Sequence, residues 1–292
     1  MANIGATTAF YKVETSLTRA NNEVSKSMER LATGKQNANA GDRSSYVAMA
    51  DTFRLDYVGT KAGIKSASVV MGYLETGMRV LDAASGLVGR IQELAVLGAN
   101  DTNTTEDGLA INAEANALGN ELHRLLSDAS YKGAKFFGGS SQAANDKAVS
   151  LGGRGAAMKF GLTDILGETN YTNLIDVSNH NNSDQVTNPV LKKVPNAASQ
   201  ATNALTSLVE ELQGTLNTAR VEAGSQYAAL ESAVNYVTDL TAQYELGYNT
   251  VNDVNFSMET AHLAKNQILQ QAATAMLAQA NQGQQGLLQL LS

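Results

Sequence analysis

Cysteine and tryptophan are both absent from this chain of 292 residues. Without cysteine there is no disulfide framework, no thiolate metal site and no cysteine nucleophile. The aromatic share is only 5%, so Ala, Leu, Val and Ile must do most of the packing. Basic residues are also in deficit: 21 Lys+Arg stand against 28 Asp+Glu, a formal net charge of −7. Nucleic acid and anionic membrane both want a basic face, so neither is an expected partner. No window approaches twenty apolar residues, so no segment is expected to span a bilayer. The first residues, Met1-Ala-Asn-Ile-Gly-Ala-Thr-Thr, lack a basic region followed by an apolar one, so no cleaved signal peptide is expected. Proline occurs only at Pro189 and Pro195, which leaves long stretches on either side free to be helical.

Those stretches carry apolar seams. Val209, Leu216, Ala223, Leu230, Val237, Tyr244 and Val251 recur every seven residues, and Leu212, Ala219, Ala233, Leu240 and Val254 fill the alternate position. Gln226 and Gly247 break the second set. One stripe on one side of a helix asks for another helix to cover it. At about 1.5 Å per residue such a helix reaches roughly 65 Å, too long for one compact core. The N-terminal arm has the same step in Phe10, Leu17, Val24 and Leu31, with Val13 and Ala20 between. The two ends are therefore expected to lie side by side.

Between the ends, Ala32-Thr-Gly-Lys-Gln-Asn-Ala-Asn-Ala-Gly-Asp42 favours an irregular turn. A second helix is predicted from about Tyr46 to Ala99, with Phe53, Tyr57, Ile64, Val70, Leu74, Met78, Leu81, Val88, Ile91 and Ala95 at mixed spacings. Seven glycines interrupt it: Gly59, Gly63, Gly72, Gly77, Gly86, Gly89 and Gly98. Each costs up to about 1 kcal/mol relative to alanine inside a helix. Either dense packing in an assembled state compensates, or the helix breaks into shorter pieces. A third helix, near 106–129 and capped by Thr104 or Thr105, shows Leu109, Ala113, Leu118, Leu122, Leu125 and Leu126. Short glycine-punctuated runs at 131–139, 148–153 and 158–162 read as small strands and hairpins. Residues 169–188 read as exposed loop, and the last helical stretch has an expected joint near Gly247.

Catalytic chemistry finds no foothold. His123, His180 and His262 are far apart and form no His-Glu-x-x-His pair. Gly152-Gly-Arg-Gly155 lacks the Lys-Ser/Thr ending of a phosphate loop and reads as a tight turn, and Gly34-Lys35 lacks the upstream glycine. Glu210 and Glu211 are adjacent and would point different ways on a helix. No enzyme activity, cofactor or metal site is expected.

The motifs at the two ends resemble those of bacterial flagellins. The resemblance is carried by Lys265-Asn-Gln-Ile-Leu-Gln-Gln-Ala-Ala-Thr-Ala-Met-Leu-Ala-Gln-Ala-Asn-Gln282 and the terminal Leu287-Leu-Gln-Leu-Leu-Ser292. Ser27-Met-Glu-Arg-Leu-Ala-Thr-Gly34, Arg90-Ile-Gln-Glu-Leu-Ala-Val96, the Thr105-Glu-Asp stretch and Tyr131-Lys-Gly-Ala-Lys-Phe-Phe137 agree with it. Lys35-Gln-Asn-Ala-Asn-Ala-Gly-Asp42 departs from the Arg-Ile-Asn type of segment usual in the family.

The resemblance implies a mainly α fold: a long antiparallel, coiled-coil-like helical rod built from both chain ends, with a small β-hairpin region in the middle. It implies paired terminal helices in 1–45 and 250–292 as an inner-tube domain, and a helical rod domain in 46–138 and 197–249. Residues 139–196 would be a short hairpin and loop part of that rod domain, with no large outer domain. Phe10, Leu17, Val24, Leu31, Ile268, Leu269, Ala272, Met276, Leu287 and Leu290 would pack between the termini and between subunits. The implied function is a structural subunit of the extracellular flagellar filament, exported unfolded by a type III apparatus. The implied partners are further copies of the chain, the export apparatus with its chaperone, the filament cap and the hook-junction proteins. A host Toll-like receptor is a further implied partner, at places matched here by Arg90, Leu94 and Glu114. A hook–filament junction protein is the nearest alternative, but its C-terminus usually departs from the Ile268-Leu-Gln-Gln-Ala272 run. A secreted coiled-coil adhesin would share the seams without reason to hold these terminal motifs.

Overall fold

The computed structural model describes residues 4–39, 41–138, 147–152, 157–176, 191 and 199–291. In chain order the elements are α1 (Ile4–Thr33), α2 (Ser44–Gly98), α3 (Thr105–Asp128), β1 (Ser130–Tyr131), β2 (Ala134–Lys135), β3 (Lys147–Ser150), β4 (Ala157–Phe160), α4 (Thr169–Leu174), α5 (Ser199–Asn252) and α6 (Phe256–Leu291). The fold is mainly α, with two small antiparallel hairpins, β1–β2 and β3–β4. Two compact units result: residues 1–57 with 242–292, and residues 58–241. The sequence placed a division near 45 and 250, where turn residues fall. Helices α2 and α5 continue unbroken past the compact-unit boundary, so no breaker in the sequence marks it.

The second unit holds the main core. The covered side of α2 there is Thr60, Gly63, Ala67, Val70, Leu74, Gly77, Leu81, Ala84, Val88, Ile91, Ala95 and Gly98, steps of three and four without a slip. Seven of those twelve residues are Thr, Gly or Ala, which is why the regularity is hidden in the apolar pattern. The helix does not break at its glycines. At Gly63 an added Cβ would lie 2.1 Å from the Leu151 carbonyl carbon, and at Gly77 it would lie 2.4 Å from Leu162 Cδ1. Glycine is what lets the chain beside β3 lie directly on the helix backbone.

Leu205, Val209, Leu212, Leu216, Ala219, Ala223, Leu230 and Val237 of α5 are buried in one line. The seam's polar interruption has a purpose: Gln226 Oε1 accepts the Gly161 N–H at 3.0 Å, fixing the chain just after β4. Thr163 donates to Glu222 at 2.6 Å and Asn170 to Thr215 at 3.2 Å, so α5 holds this connecting segment by polar contacts. Helices α2 and α5 run antiparallel: Gln213 donates to Ser85 at 2.8 Å, and Arg220 pairs with Asp82.

On α3 the buried line is Ile111, Ala115, Leu122 and Leu126, with Leu118 and Leu125 half-covered. Leu109 and Ala113, expected in that line, are exposed. Thr104 makes the cap: its hydroxyl accepts the Asp107 N–H at 3.2 Å, and Asp107 accepts the Thr104 N–H at 2.9 Å. The Thr104 hydroxyl also donates to the Asp107 carboxylate at 2.7 Å, and this bond, with the one from the Thr104 N–H, holds that carboxyl below its usual range.

The scarce aromatics are pooled. Tyr73 packs against Phe136 with centroids 4.7 Å apart, Phe160 at 5.6 Å and Tyr131 at 6.1 Å, and Phe136 and Phe137 are fully buried. Lys132 and Gly133 both take positive φ, 52° and 79°, as a two-residue hairpin turn requires.

Two expectations are corrected. Residues 169–174 are helical rather than loop, because Tyr171 and Leu174 are buried and give the segment a face to dock. The joint near Gly247 is not there either: α5 runs on to Asn252. Gly247 is instead a close-approach site, where an added Cβ would lie 3.1 Å from the Phe53 ring.

Replacing Gly63 by alanine should destabilise the second unit by about 1–3 kcal/mol, since the added methyl overlaps backbone. At Gly86, where an added Cβ meets nothing within 4 Å, the same change should stabilise by about 0.5–1 kcal/mol. Urea unfolding of the two variants beside the parent measures both; equal effects would refute the contact reading.

Candidate assembly surface

In the first unit α1 and α6 pair antiparallel. Gln270 donates to Asn21 at 2.6 Å, and Arg30 lies 3.8 Å from Glu259. The expected α1 seam faces the pair: Phe10, Val13, Leu17, Val24 and Leu31 are half-buried, and Ala20 and Ser27 are buried. The covered stripe of α6 is Glu259, Leu263, Asn266, Gln270, Ala273, Leu277 and Ala280, again in steps of four and three.

That stripe is the poorer of the two that α6 carries. Asn266 and Gln270 sit in it, and among its described residues only Ala273 and Glu259 are buried. Apart from Leu263 and Leu277, the strong apolar residues here point the other way: Ile268 is 65% exposed, Leu269 49% and Met276 51%, with Ala272 exposed beside them. The chain's own N-terminal helix therefore does not cover these four. Side chains of Leu287 and Leu290 lie outside the described residues.

Where α1 and α5 end, a short two-stranded junction ties them. Lys35 and Asp253 form an antiparallel bridge. The Gln36 N–H donates to the Asn252 carbonyl at 2.7 Å, the Val254 N–H to the Gly34 carbonyl at 3.0 Å, and Asn37 Nδ2 to the Val251 carbonyl at 3.3 Å. Gly34 takes φ +70° to turn the chain out of α1. Asn37 and Asn252 are buried there, and Arg30 reaches the buried Glu259 next to them. Sequence reading took 32–42 for a break and missed that it pairs with the second break, because backbone pairing leaves no side-chain pattern.

The three residues matched to receptor recognition separate. Arg90 and Glu114 are half-exposed and paired at 2.8 Å, joining α2 to α3, and Arg90 also meets Glu93 at 2.7 Å. Hydrogen bonds to Glu93 and Glu114 raise the guanidinium pKa further. Leu94 turns inward and is 1% exposed, within the main core.

Nothing resembling a catalytic set is assembled among the described residues. His123 is buried with its Nδ1 2.6 Å from the Tyr171 hydroxyl, and burial raises that hydroxyl's pKa. This pair fastens α4 to α3. His262 is exposed on α6, and His180 lies outside the described residues. Glu210 and Glu211 are both exposed on α5. Gly152, just after β3, takes φ +77°, and the rest of the run to Gly155, where a tight turn is expected, lies outside the described residues. A groove of about 610 Å³ between α2 and α5 is lined by Ser85, Gly89, Gln92, Val209, Gln213 and Gly214, with Glu210 its single ionisable group. Among the described residues no cluster of three His, Cys, Asp or Glu is placed to hold a metal, and no helix is long and apolar enough to cross a membrane.

Family comparison decides what these paired ends are. The model of the bacterial flagellin N-terminal helical region matches residues 5–142, and that of the C-terminal helical region matches 206–291. The chain belongs to the bacterial flagellin family. Its function is that of a structural subunit of the flagellar filament. A flagellin of Halalkalibacterium halodurans is 25% identical over 92% of both chains. A flagellar filament core protein of Treponema maltophilum is 26% identical over 93% of both. Among solved structures, a Bacillus cereus flagellin is similar at 17% identity and TM-score 0.44, covering 59% of this chain and 88% of that one. This flagellin's family is structural, which accords with a chain whose conspicuous surface is apolar.

Replacing Arg30 by alanine leaves the Glu259 carboxylate buried without its cation, a change worth about 1–3 kcal/mol against the junction. Tryptic cleavage after the exposed Lys35 should then speed up by about tenfold, because local opening becomes easier. A double Arg30→Met, Glu259→Leu variant should be cut at close to the parent rate. Equal cleavage of the single variant and the parent would show that the ion pair does not hold the junction.

Proposed function

We propose that this flagellin leaves the cell unfolded through the flagellar type III apparatus, accompanied by a chaperone, and adds to the filament tip beneath the cap. The first unit then supplies the inner-tube domain, and the second unit supplies the rod domain. Hook-junction proteins seat the earliest copies. The observation that carries this reading is the outward set Ile268, Leu269, Ala272 and Met276 on a helix already paired on its other side. Burying side chains of this kind contributes about 1.5–3 kcal/mol each, which offsets the entropy lost when a subunit docks. The weak intramolecular stripe suits a chain that must unfold for export and order fully against neighbours.

An Ile268→Asn, Leu269→Asn variant tests this. Both positions are exposed, so the isolated subunit should keep the parent's helix content by circular dichroism. Elongation from filament seeds should fall by about a hundredfold or more, from loss of about 3 kcal/mol of burial at each contact. Elongation at the parent rate would contradict the assignment.

For the soluble subunit we propose recognition by the flagellin-sensing Toll-like receptor on the face that carries Arg90 and Glu114. The exposure of this ion pair supports it; Leu94 is supporting core beneath that face. Arg90→Ala with Glu114→Ala should weaken receptor signalling by about tenfold in a reporter cell assay. The obvious Leu94→Ala is a poor test, because removing a buried leucine costs about 2–5 kcal/mol of fold stability. Unchanged signalling by the double variant would remove the assignment.

A further inference from the structure

With cysteine absent, methionine carries all the sulfur in this chain. The methionines whose side chains are described divide cleanly between the units. Met71, Met78 and Met158 are half-buried against the core of the second unit. Met28, Met49, Met258 and Met276 all belong to the first unit, and they are 56%, 49%, 60% and 51% exposed. Met276 lies in the outward stripe of α6 with Ile268, Leu269 and Ala272, and Met258 stands two residues from Phe256, itself 57% exposed. Folding of the single chain does not account for this division, because an exposed thioether adds little to its stability. Methionine is flexible and polarisable, and it recurs on surfaces that must adapt to a partner.

From this division we infer that the four exposed methionines are oxidisable contacts of the assembly face. A peroxide modifies them in the free subunit and blocks its addition, and a neighbouring copy shields them in the filament. The inference rests on the filament reading above and assigns that surface a chemical vulnerability. In each event the thioether sulfur attacks one peroxide oxygen, an S–O bond forms and the O–O bond breaks. With hydrogen peroxide the remaining oxygen leaves as water; sulfur loses two electrons and the peroxide gains them. The product is a polar sulfoxide on a surface that must become dry. Burying its oxygen against another subunit's apolar side chains without a donor opposes docking. The reaction is reversible by methionine sulfoxide reductases, so the block is not permanent.

The test treats purified subunit and preformed filaments with hydrogen peroxide, maps sulfoxides by peptide mass spectrometry, and measures elongation from untreated seeds. In the free subunit the four exposed methionines should oxidise about tenfold faster than Met71, Met78 and Met158, following their exposure. Elongation should fall about tenfold, and reductase treatment should restore it. In filaments the four should oxidise about tenfold more slowly than in the free subunit. A variant with Met28→Leu, Met49→Leu, Met258→Leu and Met276→Leu keeps the apolar surface without the oxidisable sulfur. It should elongate at the parent rate with or without peroxide, and single Met→Leu variants repeat the measurement if the fourfold one elongates poorly.

Oxidised subunit that elongates normally overturns the inference, as does oxidation equally fast in filament and free subunit. Leucine variants as peroxide-sensitive as the parent also overturn it. Failure of untreated parent to elongate removes the filament reading and the inference together, whereas normal elongation of untreated and oxidised subunit alike removes the inference alone.

Discussion

A helix with two apolar stripes cannot be satisfied by one partner, and α6 is such a helix. Its weaker stripe, interrupted by Asn266 and Gln270, lies against α1. Its stronger one, through Ile268, Leu269, Ala272 and Met276, faces outward. Most of the first unit follows from that imbalance. The α1–α6 pair is only half-covered along its seam, so it gains only part of the hydrophobic stabilisation its sequence carries. Ordering entropy opposes the pair throughout, and a subunit in this condition is completed by copies of itself.

The junction makes this incompleteness tolerable. Where α1 and α5 end, three residues of each segment exchange backbone and amide hydrogen bonds, and Arg30 meets Glu259 beside them. The loose helix pair is thereby anchored at one end by directional bonds that do not depend on burial. The second unit uses the opposite strategy. Small residues bring α2 against the hairpin backbone, the few aromatics are gathered around Tyr73, and Gln226 and Glu222 hold the segment that follows β4. It is a satisfied core, and the exposed methionines are absent from it.

Much of this could be read from sequence, and the misses have physical causes. The seams of α1 and α5 were legible because their covered positions are mostly large aliphatics. The seam of α2 was harder because Gly63, Ala67, Gly77 and Ala84 occupy it, and small residues are covered without looking apolar. A three-four count that admits Gly, Ala and Thr would have found it. Gly247 read as a joint because glycine breaks helices more often than it makes room for a ring, and Phe53 is distant in sequence. The α4 helix was masked by its Asn and Thr content, since Tyr171 and Leu174 alone supply its buried face. For the candidate site, terminal motifs pointed to Ile268, Leu269, Ala272 and Met276. They could not say that these residues avoid α1, because two stripes on one helix have the same period. Leu94 was matched by position, and only packing shows that it turns inward.

The central claim is that the first unit is under-satisfied alone and is completed by neighbouring copies. Peptide-resolved hydrogen exchange on the free subunit and on the assembled filament tests it most directly. The account predicts that amides of α1 and α6 exchange about a hundredfold or more slowly in the filament, while the core amides of α2, α3 and α5 in the second unit are well protected in both states. Full protection of α1 and α6 in the free subunit, unchanged on assembly, would contradict it.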